Sequence, residues 1–363
     1  MHLNLKGIIF ENRTEYKVVE NINYPLYFEE KIDENLDSIL FVNFLDLYHL
    51  EFKSFPKIDE FTNLVSEIKK TRELTKIVFI LNEVCINNYN DFEIVKDKTN
   101  LEYKILNYDF FVKNKNHIFF PSSMYSSLKY LIDNDYINGK EFLLNMNKQF
   151  IDLEKPYKGA FYSRHINPIR IDIFNILKET GSLDKMIWSF FKLEEYYSRE
   201  RHDLDNFYKI NEGLIPHSYD SATDKMMYKH TYISQFLCYF EVFTESYFIR
   251  KIENKEDYCP MTEKILKPIF SALPFIVFGP KNLKKGLEKI GLTFNSPLYG
   301  FYDISNDYEI KEGLKHVERQ VKLPKKEIHK IYFQYLDEYL DNLNLFLKFL
   351  RMNLLEIKNE LLK

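Results

Sequence analysis

At 363 residues the chain is long enough for two domains, each with its own hydrophobic core. With 45% hydrophobic and 29% charged residues it is excluded from the disordered class. A net charge of −4 without a basic domain argues against a protein that lives on nucleic acid.

Cys85, Cys238 and Cys259 are odd in number and widely spaced, which gives neither a disulfide framework nor a zinc pattern and fits a reducing compartment. The first residues carry no apolar leader, and no apolar run approaches the ~20 residues of a membrane helix. The expectation is a soluble, cytoplasmic protein with no membrane span.

In chain order, Ile39–Asn43 reads as a buried strand, Glu60–Leu74 as a helix with apolar Phe61, Leu64, Val65 and Ile68, and Lys76–Leu81 as a second strand. Strand, helix, strand at this length is a βαβ unit and implies a parallel sheet. Glu83 lies just past the carboxyl end of its second strand, where such sheets bind ligands.

The pattern breaks at Lys155–Gly159, and a second α/β series follows. Gly159–Ser163 is a strand. Asn167 and Pro168 supply an N-cap and a first-turn proline for a helix over Ile169–Thr180, stopped by Gly181. Strands follow at Met186–Phe191 and Cys238–Phe243, a helix at Thr262–Leu273 despite Pro268, a strand at Phe275–Phe278 and a helix at Asn282–Ile290 ended by Gly291. Lys281, Lys284, Lys285 and Lys289 make that last helix basic, which reads as a solvated outer face.

From Tyr332 an apolar stripe runs through Leu336, Tyr339, Leu343, Phe346, Leu350, Leu354, Ile357 and Leu361 in steps of three and four, the mark of one long amphipathic helix. It either packs across its own domains or joins two copies of the chain as a homodimer. The domain reading is 1–155, 156–325 and a terminal helix over 326–363.

The stretch from Val242 to Gly291 is the most specific. Thr244-Glu245-Ser246 follows a strand, Thr262-Glu263-Lys264 opens a helix, and Pro274–Phe278 leads into Gly279-Pro280. This order resembles the donor-binding half of the α1,3-fucosyltransferases and related GT-B glycosyltransferases, including bacterial and phage relatives. The resemblance extends over Gly159–Asp307, less than half of the chain, with Thr262-Glu263-Lys264 its strongest piece. It implies an α/β, GT-B fold: two facing Rossmann-like domains, the N-terminal one for acceptor and the C-terminal one for a nucleotide sugar, with a long C-terminal helix.

Under that resemblance the donor-binding residues are Arg164, Arg170, Glu245, Thr262, Glu263 and Lys264. Physical chemistry supports the carry-over. A helix N-terminus offers free N–H groups and partial positive charge to phosphate, and Lys264 adds a full charge there. Arg170, heading the other helix, can clamp phosphate bidentately. Fixed cations stabilise the charge that grows on a leaving diphosphate, so no metal and no cofactor beyond the nucleoside-diphosphate sugar is expected. Glu245 and Glu263 suit sugar or ribose hydroxyls.

The plainer readings stay open beside these. Glu263 and Lys264 are also good helix-start residues, Arg170 and Arg164 also read as surface arginines, and Glu245 as a structural strand-end carboxylate. Glu83 is the candidate general base on the acceptor side, or a solvated loop residue. The family's Gly and Pro beside that base are replaced here by Asn82 and Val84. Asp203-Leu204-Asp205 has the Asp-x-Asp form of metal-dependent transferases and is rejected, as is 133–135, because neither follows a clear strand.

The expected reaction is inverting transfer of a sugar to an acceptor hydroxyl. The acceptor is a glycan or lipid-linked sugar, or hydroxymethylated DNA of the phage kind. The alternative is a non-catalytic GT-B-like nucleotide-binding or scaffold protein.

Overall fold

The computed structural model describes residues 3–11, 15–24, 38–44, 51–52, 55, 57–81, 85–86, 89–107, 114–120, 144–145, 147–163, 167–190, 236–245, 259, 261 and 263–362. The chain divides into two compact α/β units. Unit 1 takes Met1–Asp135, Lys251–Glu263 and Leu347–Lys363; unit 2 takes Tyr136–Arg250 and Lys264–Phe346.

Unit 1 is built on a six-stranded sheet. Its strands are β1 (Leu3–Glu11), β2 (Glu15–Tyr24), β3 (Ile39–Phe44), β5 (Lys76–Leu81), β7 (Glu102–Asn107) and β8 (His117–Phe119), in the order β2-β1-β3-β5-β7-β8. β2 is an antiparallel edge strand, and all other pairings are parallel. A short parallel pair, β4 (Glu51–Phe52) with β6 (Cys85–Ile86), lies beyond the carboxyl ends of β3 and β5 in the chain. The βαβ unit expected over 39–81 is present, with helix α1 at Ile58–Thr71.

From β1 onward the parallel strands advance across the sheet in one direction only. Right-handed crossovers then place their helices on one face. α1 and α2 (Asn90–Thr99) do pack together, and Phe61, Val65, Phe92 and Val95 join Val42, Phe79 and Tyr103 in one apolar cluster. Alternation along the strands turns Phe41, Val78, Ile80 and Leu106 to the opposite face, where they too are buried. Lys76 and Lys104 share that second face, and both reach Glu360 near the chain's end, through its carbonyl at 2.8 Å and its carboxylate at 2.7 Å. At the sheet edge, Asn353 donates to the Phe119 carbonyl and Phe349 meets the Phe119 ring. The C-terminal residues therefore serve the face that the winding leaves without crossover helices.

Unit 2 holds five parallel strands: β9 (Gly159–Ser163), β10 (Met186–Phe190), β11 (Phe240–Thr244), β12 (Phe275–Gly279) and β13 (Gly300–Asp303). Their order, β10-β9-β11-β12-β13, is the doubly wound 2-1-3-4-5 arrangement. The chain leaves β9 to one side through α3 (Pro168–Glu179), then continues on the other side from β11 through α4 (Glu263–Phe270), β12, α5 (Leu283–Lys289) and β13. α6 (Asp307–Lys322) returns against α3.

Sequence logic explains the local choices. Asn167 caps α3 by accepting the Arg170 backbone N–H at 3.0 Å, Pro168 occupies its first turn, and Gly181 at φ +60° lets the chain turn out of it. α4 is shorter than its apolar pattern suggested. Pro268 has no N–H to continue the ladder, and Ala272 at φ 49° ends the segment.

The terminal stripe is divided between two helices, α7 (Lys325–Gln334) and α8 (Leu336–Leu362), with Tyr335 between them. Tyr339, Leu343, Phe346, Leu350 and Ile357 are buried within the single chain, so the stripe offered for self-association is already covered. No helix among the described residues is long and apolar enough to cross a membrane.

Candidate functional site

In a doubly wound sheet, two loops diverge where the strand order reverses, and a crevice opens at the carboxyl ends of the strands on either side. In unit 2 the reversal falls between β9 and β11. Three of the residues picked out in the sequence, Arg170, Glu245 and Lys264, lie at those two strand ends.

Arg170 sits at the third residue of α3, just after β9. Its side chain turns inward, with Nε donating to Thr244 Oγ1 at 2.5 Å and Nη2 donating to the Thr244 carbonyl at 3.1 Å. It is only 6% exposed, so the surface-arginine reading does not hold. Burial pushes its pKa down to about 10, partly offset by the nearby Glu245 carboxylate, and it stays charged at neutral pH. Arg170 thus ties the first turn of α3 to the end of β11. Two of its five N–H groups are spent on that tie.

Glu245 follows β11 directly. Its backbone N–H donates to the Phe278 carbonyl at 2.8 Å, which continues the β11–β12 ladder by one residue. The residue is fully buried. Gly279, at the end of β12, packs beside it: a Cβ there would meet the Glu245 Cγ at 3.4 Å, an ordinary contact, and Leu283 Cδ2 more tightly at 3.2 Å.

Lys264, the second residue of α4, reaches Glu245 Oε2 with its Nζ at 3.4 Å. Its side chain is 25% exposed, against none for its partner. Glu263 is the first residue of the same helix. Two helix N-termini, one buried arginine, one reachable lysine and one buried carboxylate therefore meet at the strand ends where the order reverses. Positive charge at helix N-termini in that setting suits an anion such as phosphate.

Thr262, Arg164 and Glu83 lie outside the described residues, as do Asp203, Asp205 and 133–135. Thr244 gained its role only in three dimensions. It was visible in sequence as the residue before Glu245, but nothing there showed that it receives Arg170.

A second buried cation was not anticipated at all. Lys155 is wholly enclosed in unit 2, where its Nζ donates to the Cys238 carbonyl at 2.9 Å and lies 4.1 Å from the centre of the Tyr332 ring. Burial pushes its pKa down to about 7. In sequence it marked only the break between two α/β series.

No protein-family model matches the chain, and no curated protein matches it. Among solved structures it is similar to a crystal structure of an α1,3-fucosyltransferase, at 13% identity over 88% of this chain and 86% of the other, with a TM-score of 0.37. A crystal structure of an α1,3-fucosyltransferase with GDP is similar at 15% identity over 88% of this chain and 85% of the other, with a TM-score of 0.38.

Proposed function

We propose that the chain is a glycosyltransferase of the GT-B type, which moves a sugar from a nucleoside-diphosphate sugar to an acceptor hydroxyl. The observation that carries this reading is the place of Lys264 and Arg170. They head two helices on either side of the strand-order reversal of a doubly wound sheet, the position where such sheets take nucleotide ligands. Lys264 meets the diphosphate from the solvent side, while Arg170 supplies fixed positive charge from behind β11. As the sugar–phosphate bond breaks, both stabilise the charge gathering on the leaving group, which is most effective from preorganised, partly desolvated positions.

Glu263 and Thr262 at the head of α4 and Arg164 after β9 complete the donor side in this proposal. Glu83 acts as the general base that takes the proton of the attacking hydroxyl, and the transfer inverts the sugar's configuration. A hydroxyl on a glycan or lipid-linked sugar is the acceptor class.

A thermal-shift screen with UDP-, GDP-, CMP- and dTDP-sugars tests the reading. A ligand held at 100 times its Kd stabilises the folded state by about 2.7 kcal/mol, enough to raise the melting temperature visibly. At least one nucleoside-diphosphate sugar should do so without added metal. No shift with any donor, with and without Mg²⁺ or Mn²⁺, would sink the proposal.

A further inference from the structure

We propose that residues 147–155 are a strap latched onto unit 2 by Lys155, and that the latch loosens when this amine takes up a proton. The device goes beyond the proposed transfer reaction and does not depend on it. Lys155 lies just ahead of β9 and bonds just ahead of β11, at the amino ends of the strands, whereas the candidate donor site lies at their carboxyl ends.

The strap is held at its ends and not by apolar burial along its length. From Lys148 to Glu154 no side chain is buried, and Ile151 and Leu153 are 47% and 66% exposed. Asn147 and Lys155, at the two ends, are buried. Asn147 Oδ1 accepts the Tyr332 hydroxyl at 3.0 Å, and the Ile151 carbonyl accepts His329 Nε2 at 3.0 Å. Past the strap, the Tyr157 and Lys158 N–H groups donate to the Leu237 and Lys185 carbonyls, so backbone hydrogen bonds fix the chain from there on. A segment with so little apolar burial can open locally while the rest of the fold stays closed.

Lys155 fastens the strap twice. Its backbone N–H donates to the Tyr239 hydroxyl at 2.6 Å, and its Nζ donates to the Cys238 carbonyl at 2.9 Å. The Tyr332, Tyr239 and Phe150 rings stand 4.1, 5.7 and 6.0 Å from that Nζ. The other titratable groups around it are the Cys238 thiol, Tyr239 and Glu241 at β11, His329 and Tyr332 on α7, and Glu154 on the strap. Glu154 is paired with Lys325 at 3.5 Å, and among the described residues no carboxylate pairs with the Lys155 amine. An ammonium here brings three N–H groups and a full charge to one carbonyl and three rings, a setting that suits the neutral amine better. His329 fits the same arrangement in its neutral form. A carbonyl only accepts, so Nε2 carries the proton toward Ile151 and Nδ1 accepts the Tyr239 hydroxyl at 3.0 Å.

Opening the strap returns Lys155 to water. Burial pushes its pKa down to about 7 in the docked strap, against 10.5 for the solvated group, so between those values the open form holds the extra proton. Docking therefore strengthens as pH rises through that window, and it is weakest at and below neutrality.

Hydrogen exchange of the whole chain, with each rate corrected for its intrinsic dependence on pH, reads the latch directly. In the parent at pH 7 the hydrogen-bonded amides of Phe150, Ile151 and Lys155 should exchange faster than those of β12. Their protection should rise about tenfold or more by pH 9. Lys155→Met should protect the strap better than the parent does at pH 7, and its response to pH should stay under about twofold. Lys155→Leu serves the same purpose if the methionine variant does not fold. Strap amides as protected as those of β12 in the parent at pH 7 overturn the local opening. A pH response in the variant equal to that of the parent overturns the part played by the amine.

Discussion

The two units solve the same packing problem with opposite attitudes to charge. Among the described residues, every buried charged side chain lies in unit 2: Lys155, Lys158, Arg170, Glu241, Glu245 and Asp303. The buried polar residues of unit 1 are Asn43, Thr62, Thr99, Asn107, Asn116 and Asn353, all uncharged. Its core is instead an aromatic cluster, with Phe55 and Phe92 at 5.1 Å and Phe79 and Phe92 at 5.0 Å between ring centres. The winding differs in parallel. Unit 1 advances in one direction and has no reversal within its parallel strands, whereas unit 2 reverses between β9 and β11. Burying a charge is costly unless it is paired, so a fold keeps buried charge where it is used or where a partner is built in. Of these six, Arg170 and Glu245 lie at the strand ends where the order reverses, whereas Lys155 and Lys158 lie ahead of β9 and Asp303 ends β13. Unit 1 is organised around its own packing.

The sharpest way to break this division is at Glu83, which falls between β5 and β6 in the sequence. If unit 1 supplies the base and unit 2 the donor site, Glu83→Gln should lower kcat by about 10²–10⁴-fold while donor affinity stays near that of the parent. Single-turnover rates beside equilibrium donor titrations separate the two. Near-normal turnover in the variant would leave the base to be sought elsewhere in unit 1.

Next in size is the dependence of unit 1 on the end of the chain. Ile357 is fully buried in the part of α8 that belongs to unit 1. Ile357→Ala should cost about 2–5 kcal/mol in urea denaturation, the usual range for a large-to-small change in a core. Leu355→Ala, at a side chain 56% exposed, should cost almost nothing. Equal effects would mean that α8 lies on unit 1 without holding it.

How much of this could be read from sequence depends on what each element buries. β3, β5, β9 and β12 are short, mostly apolar runs, because both faces of a parallel sheet are covered, and their ends were legible to within a residue. β13 is four residues long with two of them only half-buried, and it left no comparable signal. The break at Tyr335 was hidden for another reason. Tyr332, Leu336 and Tyr339 keep steps of four and three across it, so the stripe continues while the helix does not. At the site, Lys264 and Arg170 were legible as heads of helices, since capping and proline placement are local. That Arg170 turns inward onto Thr244 depends on residues 74 positions apart, and that Glu245 is sealed from solvent depends on the packing of β11 against β12.

The buried charges can be separated by pH. Lys155 has an ordinary pKa of 10.5 that burial pushes down to about 7. Between those values the unfolded chain carries one more proton than the folded one, so this group makes stability rise with pH through that window. Below about pH 7 both states are protonated, and the burial cost is present in full. Lys155→Met removes the charge but keeps an apolar stem beside the Tyr332 ring. At pH 7 it should stabilise unit 2 by about 1–4 kcal/mol, as is common when a buried ion gives way to a hydrophobic residue of similar volume. The gain should shrink as pH approaches 10. Denaturant curves at pH 7 and 9.5 check the sign. A variant less stable at both would mean that the contact to the Cys238 carbonyl outweighs the burial cost.

Lys264→Ala should separate binding charge from structural charge within unit 2. It should weaken nucleoside-diphosphate binding at least tenfold, about 1.4 kcal/mol, with little change in melting temperature, because the side chain is partly exposed. Arg170→Ala should instead lower the melting temperature as well, since it frees the end of β11. Matching behaviour of the two variants would erase the distinction between them.

The smallest expected effect tests how the end of α8 is held on the second face of the unit 1 sheet. Lys104 and Glu360 form an ion pair at 2.7 Å with side chains 20% and 26% exposed, and Lys76 donates to the carbonyl of the same glutamate. Pairs open to solvent contribute about 0–1 kcal/mol, and this one is more enclosed than a surface pair but not sealed. Lys104→Ala should therefore cost no more than about 1 kcal/mol at low salt, and the loss should fade as salt screens the parent's pair. Glu360→Ala should match it, because the Lys76 contact is to backbone and survives the substitution. If either change approached the cost of Ile357→Ala, polar anchoring would be holding the helix, and the apolar burial beneath it would be a consequence of docking instead of its cause.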